Sequence, residues 1–249
     1  VLGVLSAALL AFTAPSIALA QGEVRESASH RFEEVADGVW FATGTGSVYT
    51  MSNALVLVGS EDTLLVDSHV TAAASMALID SLSVLTDKPV RYLVNSHYHF
   101  DHAHGNQSFP PGVEIIGHEY TRMKLNGEAG NVLEEITFKS FSDPVPGTVR
   151  SLERQAADAS SGERREQLLQ QAQRDYMEAI KEIVPTPPNI TLDKKMTLFQ
   201  TLEGGSREIQ LRHFGRAHTG GDVLVWLPDE KIVFTGDMML PGVAYMGDG

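Results

Sequence analysis

One stretch near the middle of the chain limits what it can be: Asn95-Ser96-His97-Tyr98-His99-Phe100-Asp101-His102-Ala103-His104-Gly105-Asn106. His97, His99, Asp101 and His102 all fall between positions 97 and 102. Imidazole nitrogen and carboxylate oxygen both suit a borderline dication such as zinc. The residues just before, Val90-Arg91-Tyr92-Leu93-Val94, are β-branched and apolar and read as a buried strand. Gly105-Asn106 then turns the chain. The four residues therefore sit on a loop at a strand end. His97 and His99 alternate in an extended segment and can point to one side, whereas Asp101 and His102 follow where the chain bends. That arrangement fits two adjacent metals better than one. Three of the nine histidines lie here beside an Asp, which makes chance clustering a poor explanation.

The chain has 249 residues, enough for one sizeable α/β domain with a well-buried core. Apolar residues make up 43 % and charged residues 20 %, a globular rather than a disordered profile. A formal charge of −13 argues against a nucleic-acid partner. Cysteine is absent, so any zinc must be held by His and carboxylate. Residues 1–20 form an apolar run ending Ala18-Leu19-Ala20 before Gln21. They read as a signal peptide lacking its initiator Met and basic start, which predicts a periplasmic or secreted protein. A transmembrane anchor is the competing reading; Pro15 and the small-residue end favour cleavage. No second long apolar run follows, so no stable membrane span is expected once the leader is removed. The partner expected is a small-molecule substrate, and the oligomeric state is not legible.

Residues 21–36 are polar and read as a loose lead-in. Strands are predicted at Val39–Ala42 and Ser47–Met51. Ala54–Val58 and Thr63–Asp67 read as a hairpin across Gly59-Ser60-Glu61-Asp62. A helix is predicted over Thr71–Leu85, with Thr71 as N-cap and Met76, Leu78, Ile79, Leu82 and Leu85 on its apolar face. Val113–Gly117 is the next strand and His118–Leu125 a short helix. His118 has no close partner ligand and reads as a helix-start residue. This βαβα order argues for layered strands and helices. Thr148–Val184 reads as two helices broken at Ser160-Ser161-Gly162 and stopped by Pro185, with Leu168, Ala172, Tyr176, Ile180 and Ile183 as the apolar stripe. Strands are then predicted at Met196–Gln200, Glu208–His213, Asp222–Leu227 and Lys231–Thr235.

The run His97-x-His99-x-Asp101-His102 resembles the signature of the metallo-β-lactamase-fold hydrolases, and its wider setting resembles their periplasmic branch. The motif is specific for the fold and weak for the substrate. The resemblance implies an α/β, four-layer αββα sandwich spanning residues 21–249, with a helical-hairpin insertion at about 148–184. In the family, an Asp at the position of Asp67 supports the metal loop from behind. His218, in Ala217-His218-Thr219-Gly220-Gly221-Asp222, resembles the next ligand, and Asp237, in Thr235-Gly236-Asp237, the bridging carboxylate. Carried over residue by residue, His97, His99 and His218 hold one metal, Asp101 and His102 hold a second, and Asp237 bridges them. The implied cofactor is two zinc ions, with iron or manganese as alternatives. The family pattern needs one further His, and no His follows His218. It is expected beyond Gly249, with the domain cut short at its C-terminal end.

The resemblance implies a metallohydrolase in which a metal-bridging hydroxide attacks an ester, thioester, lactone or amide carbonyl. Asp101 would orient that hydroxide and carry a proton to the leaving group, as the catalytic residue. A β-lactamase is the first alternative. Against it, Met238-Met239-Leu240-Pro241 supplies no cation for the β-lactam carboxylate, and Asp237 stands where the true β-lactamase branches have Cys or Ser. A glyoxalase II-like thioesterase fits the bridging Asp but lacks identifiable basic residues for a glutathione tail. His99 argues against the diiron redox branch, which has a carboxylate there. The non-enzyme alternative is a vestigial metal-binding protein.

Overall fold

The computed structural model describes residues 22–130 and 181–240, together with 162, 166, 167, 178 and 179. The first sheet follows chain order: β1 (Val24–Glu26), β2 (His30–Ala36), β3 (Val39–Gly44), β4 (Ala54–Val58), β5 (Thr63–Val66), β6 (Val90–Val94), β7 (Glu114–His118) and β8 (Ile190–Leu192). Strands β1 to β5 pair antiparallel and β5 to β8 parallel. The second sheet is an antiparallel meander of β9 (Lys195–Leu202), β10 (Gly205–Arg212), β11 (Leu224–Leu227) and β12 (Ile232–Phe234). Three helices are described: α1 (Ala72–Ser81), α2 (Phe100–Ala103) and α3 (Glu119–Leu125).

The hairpin β4–β5 is apolar at every position but Thr63 because both of its faces are covered. Val56 and Leu65 join Leu78 and Leu82 from and just after α1, with Phe32, Trp40 and Leu93. Leu55, Leu57, Leu64 and Val66 face the second sheet through Ile209, Leu211, Val225 and Leu227. The described residues thus build a helix–sheet–sheet stack in a mixed α/β fold. The outer helical layer of the expected four is not among them. Helix α1 starts where Thr71 Oγ1 accepts the Ala74 amide at 3.1 Å, and a 3-10 turn over Leu82–Val84 extends it. Leu78 is fully buried, so Leu78→Ala would cost about 2–5 kcal/mol.

Apart from Ser47–Met51, the predicted strands from Val39 onward and the C-terminal meander are present, as are both predicted helices outside the insertion. Four expectations need correction. Residues 21–36 are not a loose lead-in but carry β1 and β2, where His30 and Phe32 point inward and charged Arg31 and Glu33 outward. That charged outer face disguised the strands. Ser47–Met51 is not a strand; the chain turns there, and Met51 adopts a positive φ of 61°. Met76 is 51 % exposed and leaves the apolar face of α1. Strand β8 was not predicted, because three residues carry no periodicity. The predicted helical insertion at 148–184 lies almost wholly outside the described residues. At its described end Ile183 is buried against Val70, Tyr49, Met51 and Phe100.

The parallel strands place the chemistry. Asp67, the His97–His102 loop and His118 come at the carboxyl ends of β5, β6 and β7, where loops of a parallel sheet gather. The β10–β11 connection and the end of β12 bring His218 and Asp237 to the same edge.

Candidate metal centre

The loop after β6 is held from behind. Ser96 donates its backbone amide to Asp67 Oδ1 at 2.7 Å and its hydroxyl to Asp67 Oδ2 at 2.8 Å. His102 Nδ1 lies 2.7 Å from Asp67 Oδ2. This contact places the ring proton on Nδ1 and turns Nε2 toward the centre. Asp67 itself has φ 68°, a left-handed conformation costly for a residue with a Cβ. Ser68 then donates its amide to the His102 carbonyl at 2.9 Å and its hydroxyl to Asn106 Oδ1 at 2.8 Å. Asn95 and Asn106 exchange side-chain hydrogen bonds of 3.0 and 2.8 Å across the base of the loop. Gly105 is required here, since a Cβ would collide with the Ser68 carbonyl oxygen.

His97, His99 and His218 converge, with His218 Nε2 2.9 Å from His99 Nδ1. His97, His102 and Asp237 form a second group that shares His97 with the first. Asp237 reaches both: Oδ1 is 3.3 Å from His102 Nε2, and Oδ2 is 3.7 Å from His218 Nε2. Asp101 Oδ2 lies 3.3 Å from the same His102 nitrogen, on a side chain 17 % exposed. Gly236, at φ 51°, packs so tightly on Ser96 that a Cβ would sit 2.6 Å from its hydroxyl oxygen. That close approach seats Asp237 over the loop. All six residues singled out from the sequence are therefore in one place.

These donors fit a dication. The buried Nε2 atoms of His97 and His102 have no hydrogen-bond partner. The donor set is imidazole and carboxylate, with no thiolate. Tetrahedral ligands about 2.0–2.2 Å from a metal lie roughly 3.3–3.6 Å from one another. The contacts of His102 with Asp101 and Asp237 match that spacing. Electrostatics also favours a cation. Burial, followed by the neighbouring imidazoles, pushes His97 well below the ordinary histidine value, which keeps it neutral and able to ligate. Burial pushes His102 down too, but the Asp101 and Asp67 carboxylates overcome it and hold His102 well above the ordinary value. Burial raises Asp101, and His102 more than offsets this, leaving it at about 2. A dication would take the place of the proton on His102.

Of the braces around this set, Asp67 was expected from the resemblance and holds Ser96 and His102 as expected, whereas the others were missed. Asp222 closes the His218 loop by accepting the Thr219 amide and hydroxyl, both at 2.8 Å. The signal was present in Thr219-x-x-Asp222, a spacing that lets a carboxylate fold back on a turn. His213 Nδ1 donates to the Asp222 carbonyl at 2.8 Å. His118, as expected, starts α3: its Nδ1 accepts the Tyr120 amide at 3.1 Å.

Comparison with solved structures finds a metallo-beta-lactamase from Pontibacter korlensis, 18 % identical, covering 86 % of this chain and 71 % of that one, with a TM-score of 0.46. A metallo beta lactamase from Erythrobacter litoralis, with beta mercaptoethanol in its active site, is 18 % identical over 83 % of this chain and 70 % of that one, with a TM-score of 0.47. A comparison with curated proteins gave no match. The family model of the metallo-beta-lactamase superfamily matches residues 49–249, most of the chain. That superfamily consists mostly of metallohydrolases, and its match takes in the whole His/Asp constellation. The chain belongs to the metallo-beta-lactamase superfamily.

Proposed function

We propose that the chain is an exported hydrolase that uses two dications, zinc by preference, to cleave an ester, thioester, lactone or amide. The observation that carries this reading is Asp237. Its two oxygens address His102 on one side and His218 on the other, as a carboxylate between two cations must. His97, His99 and His218 are assigned to one ion, and Asp101 and His102 to the second. When bound, such ions acidify a water and polarise the substrate carbonyl. The chain's own groups do the rest. Asp67 and Ser96 keep the Nε2 atoms of His102 and His97 turned inward, through contacts of 2.7 Å and 3.1 Å at their Nδ1 atoms. Asp101 stays ionised at neutral pH and accepts a proton from the attacking water before passing it to the leaving group. With two ions bound, Asp237 would offset the repulsion between their like charges.

Export rests on the apolar leader and its Ala18-Leu19-Ala20 end. No described helix is long and apolar enough to cross a membrane. The test is elemental analysis of the purified protein beside a hydrolysis screen on nitrocefin, a thioester and a lactone. Two equivalents of metal and turnover of one carbonyl class are expected. A metal-free protein, or a metal-loaded one inert on all carbonyl substrates, sinks the reading.

A further inference from the structure

A second group of buried polar residues lies outside the centre. His30 on β2 and His69 just after β5 stack with ring centroids 5.2 Å apart, and both are fully buried. Their Nε2 atoms meet at 3.1 Å. His30 Nδ1 meets Ser29 Oγ at 3.0 Å, and Ser29 Oγ meets Ser81 Oγ of α1 at 2.9 Å. His69 Nδ1 meets Ser52 Oγ at 3.0 Å. The chain of contacts ties β2, α1 and the loop before β4 to a single residue, His69. That residue holds φ 65°, two positions after Asp67 at 68°. Two left-handed residues without glycine persist only where their surroundings over-determine them. The His69 ring supplies that constraint at one end, and its carbonyl accepts the Gly105 amide at 3.0 Å.

We infer that the His30–His69 pair is a positioning device for the metal loop: by locking the Asp67-Ser68-His69 turn, it holds His102 in its ligating orientation. The turn is the only described element that grips His102 at both its ring and its carbonyl, through Asp67 Oδ2 and the Ser68 amide. Among the described residues no hydrogen bond joins the pair to a donor of the centre, so the turn is its hydrogen-bonded route to His102. A neutral pair suits this role, because one N–H lies between the rings and each outer nitrogen faces a hydroxyl that can donate or accept. The inference rests on the proposed metal centre for its purpose, but not for its test.

The test replaces His30 with Leu and reads the His102 Nδ1 proton in metal-free protein by nitrogen-15 histidine NMR. In the wild type this buried proton, bonded to Asp67, should exchange slowly. In His30→Leu it should exchange about tenfold faster, while the backbone amides of β10 keep their wild-type rates. Ser52→Ala, which leaves the pair itself intact, should shift the same proton in the same direction by a smaller factor, and it stands in if His30→Leu does not fold. Unchanged exchange in these variants overturns the inference. So does acceleration shared equally by His102 and β10, since that marks general loosening. Chelator competition on metal-loaded protein adds a second readout. The variant should lose about tenfold in affinity, as outer supports of ligands typically do. Failure of the wild type to bind metal would overturn the proposed function yet leave the proton-exchange result intact.

Discussion

His30 and His69 are as deeply buried as His97 and His102, yet the two pairs use their nitrogens in opposite ways. In the first pair both outer nitrogens reach serine hydroxyls and the inner ones reach each other. In the second, the Nε2 atoms have no hydrogen-bond partner and converge with carboxylate oxygens. Their charge states differ accordingly. Burial holds His30 at about 4 and His69 at about 3, so they stay neutral, whereas Asp101 and Asp67 keep a proton on His102 against its burial. A lone orphaned nitrogen does not mark a ligand. His104 has two, is held at about 4 by burial, and belongs to neither donor group. What distinguishes the centre is convergence of several unsatisfied donors around carboxylates. A buried pair that satisfies itself is built to hold structure.

The comparison breaks most sharply at His97, which both donor groups share. His97→Ala should reduce bound metal to background and hydrolysis on the order of a thousandfold, read by elemental analysis and initial rates. Retention of full metal content would erase the distinction between the two pairs.

Acid should act on the self-satisfied pair as on the other buried neutral histidines, His97 and His104. A histidine whose folded value lies below its ordinary 6.5 contributes stability above 6.5 that is lost as pH falls toward the folded value. For His30 the window runs from 6.5 down to about 4 and amounts to about 3 kcal/mol. Urea unfolding of metal-free protein between pH 7 and pH 4 should show this loss, and His30→Leu should flatten it by about one proton. His102 has the opposite sign. Its raised value gives the metal-free protein stability that is full below 6.5 and disappears as pH rises through the folded value. An alkaline decline in metal-free protein, abolished by metal loading, would sharpen the contrast.

Asp67→Asn tests how the centre depends on its support. It keeps the shape of the side chain but removes the charge that fixes His102. Metal affinity should fall about tenfold to a hundredfold in chelator competition. The smallest expected effect is Ser52→Ala. Loss of one hydroxyl from His69 Nδ1 should cost about 1 kcal/mol in urea unfolding. A much larger cost would mean that the pair leans on Ser52 more than on Ser29.

Much of the centre was legible because metal chemistry demands particular residue types. His97, His99, Asp101 and His102 announce themselves through spacing alone, and His218 and Asp237 through resemblance. Of the braces, Asp67 was legible through the resemblance; the others were not, because serine, asparagine and a turn aspartate are ordinary loop residues until their partners are known. Asn95 with Asn106, and Asp222 with Thr219, are such cases. Strands β1 and β2 were missed because alternation with charged outer residues resembles a polar tail when only His30 and Phe32 point inward. Ser47–Met51 was overread, since β-propensity says nothing of a left-handed Met51.

The sequence by itself determined the family, the donor types and the strand that carries the metal loop. These depend on local pattern, and a strand followed by clustered ligands leaves few alternatives. Only the tertiary structure decided that His218 and Asp237 meet the loop, and that the turn after β5 grips His102 through Asp67 and Ser68. It alone placed His30 of β2 against His69 of the turn after β5. The physical reason is that hydrogen bonds and electrostatics act over a few ångströms of space. A one-dimensional pattern cannot record distances closed by sheet pairing and packing.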